Sequence, residues 1–399
     1  MITFAPAKPK KKFEMKKYLL LCLLSATLFG SCIKDEPQNS ECDITSAWVE
    51  GLIYQPFFYQ PKTDMRIDNV LTSQDHITFI VRRMNLMPKI PVHFQLTPGA
   101  TISPENGSAQ NFRKGPVVYT VTSEDGAWQR RYTVEFREAE LPALEYHFEN
   151  VDLKKEDFLI FNYQYYKWYE TDEKGKRVDI WASGNQGFGM GNSSLKPEQY
   201  PTTPDEDGYK GRCVKLTTLN AGPLAEAVKK YIAAGNLFIG SFDVNRALTE
   251  SLRSTLMGDG NAFNKEPVKV SGYYKYKPGD VFTDEENHPQ PGMTDQADIY
   301  AVLYRNQDSN GNKVVLDGGN VLTSPYIVRR ARMESLPATD QWTPFEMYFD
   351  EVAPIDYQLL EARGYNLALV FSSSKDGALF RGAVGSTLYI DEVTVSVEK

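Results

Sequence analysis

The sequence is poor in cysteine and histidine. Only four of its 399 residues are Cys and four are His. Cys42 and Cys213 are the two cysteines that lie beyond the N-terminal apolar segment. They could pair after export, but one pair does not make the chain a disulfide scaffold, and we favour Cys213 as a small buried side chain and Cys42 as part of a tether. The histidines lack the spacing of zinc ligands, since they lie at His76, His93, His147 and His288.

The chain also lacks an excess of positive charge. Its formal net charge is -8. A negative surface repels phosphate backbones, so we do not expect nucleic acid as a partner. The basic run from Lys8 to Lys17 precedes an apolar stretch and is therefore interpreted as part of a targeting signal.

No apolar run is long enough to span a bilayer. The apolar run from Tyr18 to Phe29 has the length of a signal-peptide core and follows Lys16-Lys17. It leads into Leu28-Phe29-Gly30-Ser31-Cys32, which resembles the bacterial lipobox except that Phe29 replaces a smaller aliphatic residue. We therefore predict a signal region at 1–32 that starts at Met15, and lipidation of Cys32.

The residues after Cys32 predict where the protein is displayed. Ile33-Lys34-Asp35-Glu36 resembles the export signal of Bacteroidetes surface lipoproteins, and the alternative is a plain solvated linker. Residues 33–42 are interpreted as a flexible tether. The predicted location is the outer membrane, at the cell surface, with lipid as the only anchor. We expect a monomer.

Residues 43–138 have the pattern of a small β domain. Apolar and polar side chains alternate in three segments, and the last two flank the turn at Asp125-Gly126. This arrangement predicts a β-hairpin. About 95 residues of short strands favour an immunoglobulin-like β-sandwich, followed by a linker at 139–144. The predicted inward side chains are Ile77, Phe79, Val81, Val117, Tyr119, Val121, Trp128, Tyr132, Val134 and Phe136.

Residues 145–399 predict a second all-β domain. Many short strands with few helices favour a jelly-roll β-sandwich. One helix is predicted from Pro223 to Ile232, because Leu224 and Val228 share a face and Gly235 follows, and a second from Asp356 to Ala362. The predicted strands are Leu237–Val244, Val268–Tyr276, Ala297–Tyr304, Phe345–Phe349, Tyr365–Ser372 and Ser386–Val397.

Four segments of this domain resemble the "putative carbohydrate metabolism domain" family of Bacteroidetes lipoproteins. They read AAGNLFIGSF from Ala233, EPVKVSGYYKYKPGD from Glu266, DQADIYAVLYR from Asp295 and LALVFSSSKDGALFRGAVGSTLYIDEVTV from Leu367. The resemblance covers roughly 145–399 and implies a jelly roll like that of carbohydrate-binding modules. It implies the fold more strongly than an activity.

Aromatic and amide residues suggest a glycan site. Sugars stack their C–H faces on flat rings and hydrogen-bond to amides and carboxylates at the edges. Trp168 and Trp181, followed by Asn185 and Gln186 on a glycine-rich segment, meet that need, and Tyr276 and Trp342 are further candidates. Ordinary burial in the core is the alternative for each ring.

Asp391 and Glu149 are candidate metal ligands. Asp391 shares strand parity with apolar residues, and an ionised carboxylate on an apolar face is costly unless it is paired or bound to metal. Jelly-roll carbohydrate-binding modules commonly hold a structural Ca²⁺ between their last and first strands, which here implies Asp391 and Glu149. Alternatively, Asp391 binds backbone amides at the end of a sheet.

No catalytic residues are predicted. Glycosidases use two facing carboxylates, and 52 acidic residues provide many pairs without singling one out. The sequence contains neither a nucleophile elbow nor a P-loop. We therefore expect a non-catalytic surface lipoprotein that binds a carbohydrate. A glycoside-active enzyme and a structural or adhesion-type component without a small ligand are the alternatives.

Overall fold

A computed structural model describes residues 37–398, except 59–60, 83, 85–86, 139–140, 159, 173 and 248. The chain divides between residues 140 and 141 into two compact units. Both are built from β-strands with short helices, so the predicted all-β class is confirmed. Cys32 and the proposed start at Met15 lie outside the described residues. Within the described part of the chain, no helix has the length and apolarity needed to cross a bilayer.

The first unit is a sandwich of two four-stranded sheets, in the orders β2-β1-β4-β6 and β3-β8-β7-β5. In the described part of this unit, one short α-helix, α1 (Pro61–Asp64), accompanies them, with 3-10 helices at Leu52–Phe57 and Phe112–Lys114. The strands are β1 (Ile44–Val49), β2 (Arg66–Asp68), β3 (His76–Val81), β4 (Ile90–Leu96), β5 (Thr101–Ser103), β6 (Ala109–Gln110), β7 (Val117–Thr122) and β8 (Gln129–Glu138).

The alternating side chains of β3, β7 and β8 form the core of this sandwich, as predicted. Tyr119 and Tyr132 face each other across β7 and β8, and both are fully buried. Trp128 was predicted to share their face, but it precedes β8 and is 63% exposed. The predicted tether also differs, because Asn39 donates to Pro98 O and Glu41 O accepts from Thr97 Oγ1. Residues 39–42 therefore pack against the sandwich.

The described part of the second unit contains the remaining strands, four short α-helices and three 3-10 helices. The α-helices are α2 (Asn185–Gly191), α3 (Pro223–Glu226), α4 (Ser251–Ser254) and α5 (Tyr357–Glu361). The strands are β9 (Ala143–Tyr146), β10 (Val151–Phe158), β11 (Phe161–Trp168), β12 (Glu170–Thr171), β13 (Arg177–Val178), β14 (Trp181–Ala182), β15 (Thr202–Asp205), β16 (Cys213–Thr217), β17 (Leu219–Asn220), β18 (Ile232–Ala233), β19 (Asn236–Phe242), β20 (Thr255–Met257), β21 (Ala262–Phe263), β22 (Pro267–Lys277), β23 (Phe282–Thr283), β24 (Asp298–Arg305), β25 (Leu316–Asp317), β26 (Ile327–Arg332), β27 (Thr339–Tyr348), β28 (Asp350–Glu351), β29 (Tyr365–Ser372), β30 (Gly382–Ala383) and β31 (Thr387–Val397).

Two sheets of the second unit enclose its main core. Sheet A runs β25-β20-β19-β29-β24-β26-β28, with β14 and β21 attached, and sheet B runs β15-β16-β31-β22-β27, with β9 attached. Leu237, Ile299 and Phe371 of sheet A pack in the same cluster as Val270 and Ile390 of sheet B. The opposite face of sheet A carries a second apolar cluster, so its central strands are buried on both sides.

The helix predicted from Pro223 to Ile232 lasts only one turn. α3 ends at Glu226, and Lys229 adopts a left-handed φ of 60°. Ile232 is buried in β18 and pairs with Asn220 of β17. Its apolar side chain therefore belongs to a strand and not to a helical face. The second predicted helix is confirmed by α5, which Asp356 caps by accepting from Gln358 N and Leu359 N.

A bulge near the middle of β31 changes the predicted parity of Asp391. Tyr273 of β22 pairs with Asp391, whereas Ser271 pairs with Thr394, so two residues of β31 lie opposite Gly272 alone. Glu392, inside this bulge, has a φ of 48°. Asp391 consequently lies on the outward side with Tyr389, while Val393 points into the core.

Candidate functional site

A groove of about 490 Å³ lies on the outer face of sheet A. Two cross-strand rows form its floor. One row joins Asn236 of β19, Ser372 of β29 and Asp298 of β24, and the next includes Val370 and Tyr300. Side chains on one face of a sheet at these positions are neighbours, so the groove has a polar row beside an apolar and aromatic row.

Asp298 and Arg332 form a bidentate ion pair in the groove. Arg332 Nε donates to Asp298 Oδ1 at 3.0 Å, and Arg332 Nη2 donates to Asp298 Oδ2 at 2.7 Å. Arg332 Cζ also lies 5.9 Å from the centre of the Tyr300 ring. Burial raises the pKa of Asp298, and the hydrogen bonds from Arg332 oppose that shift. This pair fixes the guanidinium against the floor.

The walls of the groove come from strand ends and loops that differ in chemistry. Phe242, Met257 and Phe380 contribute apolar surface, while Lys375 and Asp376 contribute charge beside them. The arrangement of an apolar lining with a few polar groups is typical of small-molecule sites.

A buried polar network holds the loop that carries Lys375. Asp295 Oδ2 accepts from Ser374 Oγ at 2.6 Å, from Ser386 Oγ at 2.7 Å and from Ala383 N at 2.8 Å. The Ser374 hydroxyl also lies 2.6 Å from Thr218 Oγ1. Burial raises the pKa of Asp295, and these donors oppose that shift. The network ties both ends of the loop to one carboxylate, so it preorganises this wall.

Four of the predicted ligand residues are core residues. Trp168 and Trp181 are each 1% exposed, and Tyr276 is 2% exposed. Asn185 is fully buried and exchanges two hydrogen bonds with the backbone of Thr202. These residues therefore do not form an exposed aromatic platform, because the three rings are packed in the core, and their binding of a ligand stays a prediction.

Trp168, Trp181 and Gln186 do line one pocket, together with the exposed residue Lys154. They line a cavity of about 310 Å³ that is separate from the floor of the groove. Trp181 Nε1 donates to Glu170 Oε1 at 2.7 Å, and Gln186 Nε2 donates to Glu156 Oε2 at 3.1 Å. Protein acceptors thus already hold the polar ends of Trp181 and Gln186.

Trp342 is the predicted ligand residue that lies at the surface with its ring among other aromatic side chains. Its ring centre is 6.4 Å from that of Tyr209 and 6.5 Å from that of Tyr389, with edge-to-face geometry in both cases. These rings lie on the outer face of sheet B. The structure therefore separates Trp342 from the groove on sheet A.

Asp391 and Glu149 both accept hydrogen bonds from backbone amides of the same loop. Asp391 Oδ2 accepts from Lys210 N at 2.9 Å and Asp391 Oδ1 from Glu392 N at 2.8 Å. Glu149 Oε1 accepts from Arg212 N at 3.0 Å. Among the described residues, no group of three or more His, Cys, Asp or Glu side chains could hold a metal ion. These contacts fit the amide-binding alternative, and the structural calcium stays a prediction.

The sequence offered only a partial signal for the groove. Asp298 and Tyr300 belong to the DQADIYAVLYR segment, where Asp298 opens an otherwise apolar strand. Such a carboxylate indicates a buried partner. That partner, Arg332, lies on β26, and the sequence does not disclose the pairing of β24 with β26.

Comparisons with known proteins agree with this architecture. Residues 147–396 match the family model described as "Putative carbohydrate metabolism domain", and residues 61–135 match the model described as "SGBP, N-terminal". No curated protein matches the chain.

Two similar crystal structures come from the genus Bacteroides. One, from Bacteroides thetaiotaomicron VPI-5482, is described as a "putative glycoside hydrolase"; it is 38% identical, covers 92% of this chain and 99% of its own, and has a TM-score of 0.57. The other, from Bacteroides vulgatus ATCC 8482, has the same description; it is 36% identical, covers 64% of this chain and 98% of its own, and also has a TM-score of 0.57. The family match covers more than half of the sequence, and the chain therefore belongs to the "Putative carbohydrate metabolism domain" family.

Proposed function

We propose that this protein binds a glycan in the groove of sheet A without cleaving it. The observation that carries the proposal is the floor of the groove, where the Tyr300 ring lies beside Asn236, Ser372 and the Asp298–Arg332 pair. A sugar ring can stack on the aromatic and apolar row while its hydroxyl groups bond to the polar row. The family to which the chain belongs supports a role in carbohydrate metabolism.

The state of Asp298 favours binding over hydrolysis. A glycosidase needs one carboxyl group that gives a proton to the leaving oxygen and another that activates water or attacks the sugar. Both oxygens of Asp298 accept hydrogen bonds from Arg332, which favours the ionised carboxylate and opposes its use as a proton donor. In the bound state we expect Arg332 to meet the ligand and Asp298 to hold Arg332 in place.

A glycoside-active enzyme is the second candidate. Asp376 also lines the groove, so two carboxylates face the same space. The two similar Bacteroides proteins are each described as a "putative glycoside hydrolase", which supports the candidate. It requires Asp298 to leave Arg332 when substrate binds.

We further propose that the protein is a lipoprotein, held at the outer surface of the cell by Cys32. The lipobox-like segment before Cys32 supports this proposal. Labelled fatty acid supplied to expressing cells should enter the protein, and the Cys32→Ser variant should remain unlabelled. Equal labelling of both proteins would contradict the proposal.

A glycan array tests the binding proposal. The purified protein should bind at least one oligosaccharide class, and prolonged incubation should leave that oligosaccharide intact. Ala378→Trp places a large side chain at an exposed position of the groove wall and should weaken binding at least tenfold. Ala362→Trp is the matched control, because Ala362 is exposed in the same unit and lies outside the groove.

Hydrolysis of the bound oligosaccharide would move the assignment to the enzyme. In that case Asp298→Asn and Asp376→Asn should each abolish product formation. Binding that is equally strong in the protein and in Ala378→Trp would contradict the groove as the site.

A further inference from the structure

The outer face of sheet B carries a second group of aromatic and cationic side chains. We call this group the sheet-B surface, and it consists of Tyr209, Lys215, Tyr273, Lys275, Trp342 and Tyr389. Tyr209 is 47% exposed, although it is a large aromatic residue. None of the six residues lines the groove of sheet A.

Strand register brings these side chains together. Lys215 of β16 pairs with Tyr389 of β31, and Tyr389 pairs in turn with Lys275 of β22. Tyr273 lies two residues before Lys275 and therefore on the same outward face. Three adjacent strands thus contribute to one continuous surface.

The aromatic part of the sheet-B surface is ordered by stacking. The Tyr209 ring lies parallel to the Tyr273 ring, at 3.6 Å between centres and 10° between planes. Trp342 meets Tyr209 and Tyr389 edge to face. Lys210 N holds the Tyr209 loop to Asp391 on β31, so the Tyr209 ring is supported from below. Because one face of Tyr209 covers Tyr273, its exposure comes from the rest of the ring.

The cationic part of the surface lies against the same rings. Lys275 Nζ is 4.6 Å from the centre of the Trp342 ring and 4.8 Å from that of Tyr389. Lys215 Nζ is 5.6 Å from the centre of the Tyr389 ring and 3.9 Å from Asp205 Oδ2. Within the described part of the chain, no carboxylate lies within ion-pair distance of Lys275. Lys275 can therefore donate to an anion that reaches these rings.

We propose that the sheet-B surface binds an acidic saccharide. The exposed ring of Tyr209 and the edge of Trp342 accept the C–H face of a sugar, and Lys275 binds its carboxylate or sulfate group. A neutral glycan would leave the ammonium group of Lys275 without an anion, whereas an acidic one pairs with it. This site acts in addition to the groove of sheet A, because the two lie on the outer faces of different sheets.

Binding of acidic and neutral polysaccharides to the purified protein tests the proposal. Polygalacturonate and a sulfated galactan should bind, and neutral galactan should bind more weakly through this surface. Lys275→Met keeps the apolar stem and should weaken binding of the acidic polymers at least fivefold. Tyr209→Ala should weaken it at least tenfold. Added salt should weaken binding to the unaltered protein more than binding to Lys275→Met.

Lys269→Met is the matched control. Lys269 lies on the same strand and also lies over a ring, that of Tyr348, but it bonds to Glu346 Oε1 at 2.9 Å. This variant and Ala378→Trp should both bind the acidic polymers as the unaltered protein does. Failure of the unaltered protein to bind either acidic polymer would overturn the proposal, as would normal binding by Lys275→Met and Tyr209→Ala. Loss of binding in Ala378→Trp would place the acidic ligand in the groove and would also overturn the proposal for the sheet-B surface. A protein that binds saccharides only through the sheet-B surface would contradict only the proposed groove site.

Discussion

At the residue scale, two facing tyrosines of the first unit differ in the hydrogen bonds of their hydroxyl groups. Tyr132 Oη donates to Asp43 Oδ1 at 3.0 Å and accepts from Ile44 N at 3.2 Å. The Tyr119 hydroxyl is buried and has no hydrogen-bond partner within the described part of the chain. Burial raises the pKa of each phenol to about 12. The two rings fill the same core, so their hydroxyl groups can be compared directly.

Tyr119→Phe should leave the free energy of unfolding unchanged or raise it by up to about 1 kcal/mol, because it removes an unsatisfied buried hydroxyl. Tyr132→Phe, the matched control, should lower it by about 1.5–3 kcal/mol, because it breaks a bond to a carboxylate and leaves Ile44 N unpaired. Urea unfolding at pH 7 measures both values. A larger loss in Tyr119→Phe than in Tyr132→Phe would contradict the assigned contacts.

The raised pKa of Tyr119 also gives a pH dependence with a definite sign. Its folded pKa of about 12 exceeds the unfolded value near 10, so the unfolded state loses this proton first. The contribution of Tyr119 to the free energy of unfolding therefore has its full value below pH 10 and falls as the pH rises toward 12. Unfolding followed between pH 9 and 11 should show a shallower loss in Tyr119→Phe than in the unaltered protein. Parallel curves would show that the phenol ionises equally in both states.

At the element scale, Gly235 marks a close approach of backbones. It was predicted to follow a helix, but it lies between β18 and β19. A Cβ at this position would lie 2.4 Å from Pro201 O and 2.4 Å from Thr217 N. Gly235 O also accepts from Ser373 N at 2.9 Å, so three segments converge beside the groove.

Gly235→Ala should therefore destabilise the second unit by about 1–3 kcal/mol, since backbone atoms must move to admit a methyl group. Gly319→Ala is the control, because its new Cβ would meet only Asp317 Oδ1 at 3.2 Å and Leu252 Cβ at 3.9 Å. Thermal unfolding of the two variants gives the comparison. Equal melting temperatures would contradict the close approach.

Strands were easier to predict than the short helices. Tyr365–Ser372 was predicted with the bounds that the structure has, because an apolar run bounded by polar residues suits a strand buried on both faces. The prediction of a helix at Pro223–Ile232 was wrong because its apolar residues do not share one buried face. Val228 is 48% exposed, and Ile232 is buried in β18. Strand pairing determines which of these residues are buried. The local spacing of apolar residues carries no information about that pairing.

At the scale of the whole molecule, the sequence predicted the two-domain, all-β architecture but did not predict the groove. The groove joins Asp298 of β24 to Arg332 of β26 and to Ser372 of β29, and only the sheet order makes them neighbours. The residue types at Trp168 and Trp181 suit core packing as well as sugar binding. Their burial follows from the packing of sheet A against sheet B, a property of the complete fold.

A crystal structure of the protein with an oligosaccharide identified on the array tests the central claim most directly. We predict density for an intact oligosaccharide in the groove, with a sugar ring against Tyr300 and a hydroxyl or acidic group within hydrogen-bond distance of Arg332. A groove without sugar in crystals that bind the oligosaccharide elsewhere would contradict the proposed site. Shortened products in the groove, with Asp298 released from Arg332, would contradict binding without cleavage.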